Sequence, residues 1–314
     1  MQEFSRSLKL MGNNFTITVV SPDIKEAEAH IQAAVYEIRR IERLLTTFDN
    51  NSQTALINEN AGIAPVPVAP EVFEIIKRSI GISQITQGAF DISYGSIDRT
   101  LWNFDKSMTA LPPKEQAMKM VNLIDYRNII LDDRDNSVLL KNKGMRIGFG
   151  GIGKGYAAEM AKRLLMQNGV QSGIINASGD LTAWGAQPSG NPWRIGISNP
   201  DHPEVIFSYL DVSGKAVATS GNYEKYVMIG GKKYSHTIDP KTGLPISGIK
   251  SVTVISGNAE FADAMATPIA VMGINAGLYL INQIPDLHCI IIDDNNKLYT
   301  SKNINLTAHE TLLS

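Results

Sequence analysis

The chain has 314 residues, 43% of them hydrophobic, with 29 basic against 31 acidic side chains and a net charge of −2. That apolar share excludes a disordered or collagen-like chain and is ample for a continuous core, and the length allows one large domain or two ordinary ones. With no basic excess and no block of like charge, nucleic acid is not an expected partner.

The N-terminus, Met1-Gln-Glu-Phe-Ser-Arg-Ser-Leu-Lys-Leu10, lacks the apolar stretch and small-residue cleavage site of a signal peptide. The chain as given is therefore expected to be cytoplasmic; a periplasmic or membrane-anchored location requires an export segment that has been removed. The β-branched run Phe15 to Val20 follows a Gly-Asn-Asn turn and reads as a strand opening the fold. From Asp23 to Leu45 the apolar positions Ile31, Ala34, Val35, Ile38, Ile41 and Leu45 recur at helical spacing, with Arg39, Arg40 and Arg43 between them. Pro70 to Gln87 repeats the pattern and stops at Gly88. A hairpin is expected around Asp133-Arg-Asp-Asn136 and a second, from Tyr226 to His236, around Gly230-Gly231. Helices are expected from Lys154 to Asn168 and from about Ala259 to Met272, and strands at 173–176, 193–198, 205–211, 251–255 and 287–293.

Cys289, the single cysteine, lies in the last of these runs and reads as an inert core thiol; neither a disulfide framework nor a thiolate zinc site can be built. The most apolar region, 269–292, is interrupted by Asn275, Asn282, Gln283, Pro285 and Asp286 and never reaches about 18 unbroken apolar residues, so no transmembrane segment is expected. Hairpins dominate the second half and no linker divides the chain. The expected architecture is α+β, a mixed or antiparallel sheet carrying packed helices in a single domain over 1–314.

Gly148-Phe-Gly150-Gly151-Ile-Gly153-Lys154-Gly155 contains the G-x-G-x-x-G spacing, but no N-terminal βαβ unit accompanies it and Asp180 arrives in a Ser-Gly-Asp turn, so the dinucleotide fingerprint fails. The same stretch spells G-x-x-x-x-G-K with Gly155 where a phosphate loop places its Ser or Thr hydroxyl. Two readings stay open: free N–H groups at a helix start awaiting a phosphate or pyrophosphate, or glycines that permit close strand-to-helix packing.

Further short motifs stand in order along the chain: Met11-Gly12, Phe48-Asp49 with Ser52 and Ile57-Asn58, Gly88-Ala-Phe-Asp91, Gly150-Gly-Ile-Gly-Lys-Gly-Tyr156 and Asn176-Ala-Ser-Gly-Asp180. They continue with Thr219-Ser-Gly221 and Tyr223, His236-Thr-Ile-Asp-Pro240 with Thr242-Gly-Leu-Pro245, and Ala262-Asp-Ala-Met-Ala-Thr267. Together, over about residues 4–300, they resemble the ApbE-like FAD:protein FMN transferases.

The resemblance implies a monomeric T-fold-like α+β architecture and a magnesium-dependent reaction that cleaves FAD and attaches its FMN half to a Thr or Ser hydroxyl of an acceptor flavoprotein, releasing AMP. It implies Mg²⁺ held by Asp263, Thr267 and the Gly153 carbonyl; Asp and Thr four apart on a helix share a face, and hard oxygen ligands suit that ion. For FAD, the substrate, the pattern carries over to Met11, Phe48, Ala89, Phe90, Asp91, Gly150, Tyr156 and Thr237, with Phe90 equally readable as core. His236 is the nominated base, since histidine transfers protons near neutral pH, and Asp239 either orients it or caps the following turn. His30, His202, His288 and His309 read as surface or core residues.

The chain departs from the family pattern at Gly148 (often Asp), Gly153 (usually Ala), Ser178 (commonly Gly) and Ile92-Ser93 (commonly Pro-Thr). Two alternatives remain: an FAD pyrophosphatase yielding FMN and AMP, and a flavin-binding protein without turnover.

Overall fold

The computed structural model describes residues 1–98, 100, 108–198, 206–221, 226–302, 304 and 307–308. The strand expected at Phe15 is the second, not the first. β1 (Gln2–Leu10) pairs antiparallel with β2 (Asn13–Ser21) across Met11-Gly12, whose positive φ values of 51° and 73° suit a two-residue hairpin turn. The signal for β1 was the period-2 placement of Phe4, Leu8 and Leu10 among polar residues. Its solvent face is zipped to β2 by the hydroxyl pairs Ser5–Thr18 and Ser7–Thr16, at 2.7 and 2.8 Å.

α1 (Ile24–Leu45) starts where the Asp23 carboxylate accepts the Lys25 and Glu26 N–H groups at 2.8 and 3.1 Å, and it buries the expected stripe. There follow α2 (Gln53–Glu59), β3 (Val66–Pro67), α3 (Pro70–Ile85), α4 (Lys114–Met120), β4 (Ile129–Asp132) and β5 (Ser137–Leu140). α3 ends as Gln87 and Gly88 turn left-handed and Gly88 N–H returns to the Ser83 carbonyl at 2.7 Å.

The second half comprises α5 (Gly153–Gln167), β6 (Gly173–Ala177), β7 (Asp180–Trp184), β8 (Arg194–Ser198), β9 (Ile206–Asp211), β10 (Ala216–Gly221), β11 (Tyr226–Ile229) and β12 (Lys232–Ser235). It closes with β13 (Ile249–Ser256), α6 (Ala259–Met272), α7 (Ile274–Ile281), β14 (His288–Asp293), β15 (Leu298–Thr300) and β16 (Thr307–Ala308).

Eight strands form one sheet in the order β1-β2-β6-β7-β10-β13-β14-β15, antiparallel at every junction. Small sheets β3-β5-β4, β16-β9-β8 and β11-β12 surround it. This is the expected α+β class. The main sheet is covered on both faces, which is why β13 is buried at all eight positions. Ile17, Val19, Ala218, Val252, Val254 and Ile291 enter the large core with α1, α5 and α6, while Val20, Val217, Ile255 and Ile290, on the other face, meet Trp193, Ile197 and Leu210.

Among the described residues no helix is long and apolar enough to cross a membrane. Tyr223, His202 and His309 lie outside the described residues.

Cys289 is fully enclosed in β14, and burial pushes its thiol up to about 12. In the folded protein at pH 8 it should therefore stay unreactive toward a disulfide reagent, and release one equivalent of signal in denaturant. Prompt native-state reaction would place β14 outside the core.

Candidate active site

A cavity of about 1450 Å³ opens between the Met11-Gly12 turn, the end of α1, the 89–95 loop, the glycine loop, the β6–β7 turn, β10, the segment after β12 and α6. The glycine loop bears on this cavity in two ways. Gly148, Gly150, Gly151 and Lys154 line the cavity, while Gly155 settles the packing. A Cβ on Gly155 would lie 2.2 Å from the Ala259 carbonyl oxygen and 2.6 Å from the Asp263 Cβ, so α6 crosses α5 where no side chain fits. At that crossing the Gly155 N–H donates to Asp263 Oδ2 at 2.9 Å, seating a carboxylate in the first turn of α5, where the helix dipole favours negative charge.

Beside it, Lys154 Nζ is ion-paired with Asp180 Oδ2 and stands 3.7 Å from Asp263 Oδ1. Asp180, the first residue of β7, also accepts the Thr219 N–H at 3.1 Å. Both carboxylate side chains are only 8% exposed, so the cluster holds two enclosed anions against one ammonium, a surplus of one negative charge. Burial pushes the Asp263 carboxyl up to about 6; Lys154 and the Gly155 N–H oppose that rise and Asp180 adds to it. Burial by itself lowers the Lys154 ammonium, but the combined pull of Asp263 and Asp180 holds it above its ordinary value. The two directions are compatible because one cation is shared by two anions and Asp180 is the nearer.

Thr267, one turn beyond Asp263 on the cavity side of α6, donates to Ser220 Oγ at 3.4 Å. This donor set is hard oxygen throughout with surplus negative charge, which suits Mg²⁺, an ion that keeps waters or substrate phosphates as its remaining ligands. Among the described residues no three His, Cys, Asp or Glu side chains gather as a larger cage would require. Gly153, the third expected ligand, starts α5 but does not line the cavity; side-chain atoms of Phe149 and Met11 lie 3.4 and 3.6 Å from where its Cβ would be.

His236, which also lines the cavity, is exposed, one residue past β12. Its neighbours are pinned: Thr237 N–H donates to Ser235 Oγ at 3.0 Å, and the Thr237 carbonyl accepts the Ile246 N–H at 3.0 Å. Asp239 makes the contacts of a turn cap. Its carboxylate accepts the Lys241 N–H and the Thr242 hydroxyl, each at 2.9 Å, capping the turn, and it does not line the cavity.

Of the residues carried over for FAD, Met11, Ala89, Phe90, Asp91, Gly150 and Thr237 line the cavity, and Phe48, 97% exposed, sits on its rim. The Phe90 ring lies 3.7 Å from where a Gly151 Cβ would be, so it joins core to cavity wall. The buried Asp91 carboxylate accepts Ser93 N–H and Oγ at 2.8 and 2.6 Å and Tyr126 N–H at 2.7 Å, so in this structure it holds the loop. Tyr156 is separated from the group. One position past Gly155 it points into the core, donates its hydroxyl to Glu71 at 2.7 Å and carries the Arg78 guanidinium over its ring.

Two departures from the family pattern acquire a physical account. Ser93 retains the hydroxyl that Asp91 accepts. Ser178 occupies the left-handed region at φ 55° in the β6–β7 turn, and its hydroxyl bonds to Asn14 of β2 at 3.2 Å, offsetting the strain a glycine would not have.

A profile for the ApbE family matches residues 11–291. The chain belongs to the ApbE family. It is 30% identical over 300 residues to the FAD:protein FMN transferase of Klebsiella pneumoniae, covering 95% of this chain and 92% of that one. The solved ApbE protein of Thermotoga maritima superposes with a TM-score of 0.84 at 30% identity, over 96% of this chain and 97% of that one. The Pseudomonas stutzeri flavinyl transferase ApbE superposes with a TM-score of 0.82 at 26% identity, over 96% of each chain.

In this ApbE-family chain, residue-by-residue reading did not assign Asp180 or Ser220 to the site, although both stand in motifs that carry the resemblance. Their partners lie 26 and 47 positions away in sequence, so only the fold joins them.

A carboxyl raised in the folded state is more easily ionised in the unfolded chain. Asp263 therefore leaves the fold unpenalised at low pH and costs stability as pH rises from about 4 through about 6. In metal-free buffer Asp263→Asn should melt a few degrees above the parent at pH 7.5, with the gap closing below pH 4. Equal melting at both pH values would show that Asp263 carries no burial penalty.

Proposed function

We propose that this chain cleaves FAD at its pyrophosphate in a Mg²⁺-dependent reaction and transfers the FMN half to a Thr or Ser hydroxyl of an acceptor protein, releasing AMP. The observation that carries the proposal is that an enclosed, surplus-negative Asp180–Lys154–Asp263 cluster at a glycine-loop helix start and an exposed histidine line one cavity. Membership of a family whose matched relatives are FAD:protein FMN transferases makes the chain a transferase.

The cavity, about 1450 Å³, has room for a dinucleotide. Phe48 and Phe90 offer aromatic surface to a flavin or adenine, and Met11, Ala89, Gly150 and Thr237 supply shape and backbone. Gly150, Gly151 and Lys154, which line the cavity, would meet the pyrophosphate, whose charge must be neutralised for displacement at phosphorus. Asp263 and Thr267, with the Gly153 carbonyl as the backbone contributor implied by the family, would hold Mg²⁺, which would supply further neutralisation there.

The acceptor hydroxyl enters from solvent on the His236 side. Its oxygen bonds to the FMN phosphorus, the bond from that phosphorus to the AMP phosphate breaks, and His236 takes the hydroxyl proton. Asp239 keeps the turn beside His236 in shape. An exposed base also admits water, so hydrolysis of FAD to FMN and AMP is the second reading. A flavin-binding protein without turnover has no use for the Asp263, Thr267 and His236 set.

Incubation with FAD and a candidate acceptor domain should give an acceptor mass gain equal to FMN, stoichiometric AMP and strict dependence on Mg²⁺. AMP and free FMN without labelling would favour hydrolysis, and intact bound FAD would sink both catalytic readings. Asp263→Ala should abolish Mg²⁺-dependent cleavage while the fold persists; full activity would remove the metal assignment.

His236→Ala should slow transfer by about 10²–10⁴-fold with FAD affinity nearly unchanged. Collapse of FAD binding with unaltered turnover of what is bound would make His236 a wall of the pocket.

A further inference from the structure

We propose that Glu159, a buried residue of α5 outside the cavity, is a positioning residue that sets the register of α6 and so places Asp263 and Thr267; this rests on the Mg²⁺ reading above. Ala259, Asp263 and Thr267 stand at i, i+4 and i+8 of α6 and therefore share one face. Gly155 and Glu159 are likewise one turn apart on α5. The helices meet through two reciprocal bonds: Gly155 N–H to Asp263 Oδ2 at 2.9 Å, and Ala259 N–H to Glu159 Oε2 at 3.1 Å.

The second bond satisfies a donor of the first turn of α6, which the Asn258 side chain leaves free because it accepts from Phe261 N–H at 3.1 Å. The Ala259 bond gives α6 a second fixed point on α5 one turn before Asp263, beside the Arg78–Glu260 ion pair at 2.7 Å that also holds the first turn of α6. Glu159 is 4% exposed and does not line the cavity, so it acts through α6.

Its orientation is in turn held by cations of its own helix. Lys162 Nζ donates to the same Oε2 at 2.8 Å and Arg163 Nε to Oε1 at 3.3 Å. Lys162 is itself 9% exposed, so deleting Glu159 alone would strand a buried ammonium and confuse loss of fold with loss of position.

The test is therefore the pair E159Q and E159M/K162M, each in the full chain. E159Q keeps an oxygen for the Ala259 N–H without the charge. E159M/K162M removes the buried ion pair as a unit, which is often neutral or stabilising, and leaves Ala259 without its acceptor.

Thermal midpoints in the presence of FAD are followed against MgCl₂ concentration, giving stability and Mg²⁺ affinity separately. Expected are a metal-free midpoint close to wild type for E159M/K162M with half-saturation by Mg²⁺ shifted up about 10-fold or more, and near-wild-type half-saturation for E159Q. Wild-type Mg²⁺ affinity in E159M/K162M would overturn the proposal, as would an E159Q as impaired as E159M/K162M. No Mg²⁺ response in the wild-type chain would overturn the metal reading and this proposal with it, a result visible before any variant is compared.

Discussion

The close crossing of α5 and α6 at Gly155 is the constraint on which the site depends. A helix pair normally keeps its axes ~8–10 Å apart because side chains stand between them. Here the Ala259 carbonyl and the Asp263 Cβ occupy the space of the missing side chain, so the Gly155 N–H reaches the Asp263 carboxylate directly. That one contact converts packing into electrostatics: an anion is lodged at a helix start, at the floor of a cavity, on the helix that also carries Thr267. It also explains why a loop that spells most of a phosphate-binding signature ends in glycine where a hydroxyl would stand.

The charge balance follows from that placement. Asp263 arrives on α6, Asp180 on β7 and Lys154 on α5, and the ammonium cannot neutralise both carboxylates. Enclosing a surplus anion is unfavourable, which is the origin of the raised Asp263 carboxyl. A site of this kind is stabilised when a further cation joins it. The antiparallel sheet supplies the frame: β7 and β13 are buried along their whole length, β10 is hydrogen-bonded between them, and its Thr219 and Ser220 hydroxyls bond to Thr253 and Thr267 beside the cluster.

The cluster and His236, both on the cavity lining, differ in physical character. The cluster is enclosed, where electrostatic interactions are strong, whereas His236 is exposed and carried on a short segment pinned by Ser235 and Ile246. Such a division suits a reaction in which the charged group of one substrate must be buried while the nucleophile arrives on a macromolecule too large to enter.

Much of the molecule was legible in the amino-acid order. The α1 stripe, the hairpins at 133–136 and 230–231, the span of α6 and the inert thiol follow from local periodicity and turn chemistry, which act over a few residues. The ordered motifs carried the family and most of the cavity wall. β1, β7 and β10 escaped because polar alternation or short length hides the strand signal. Only the tertiary structure turned Tyr156 toward Glu71 and brought Lys154, Asp180 and Asp263 together. Those outcomes depend on which helix crosses which, and that is decided by the packing of surfaces more than 100 residues apart, 108 between Gly155 and Asp263, rather than by any local pattern.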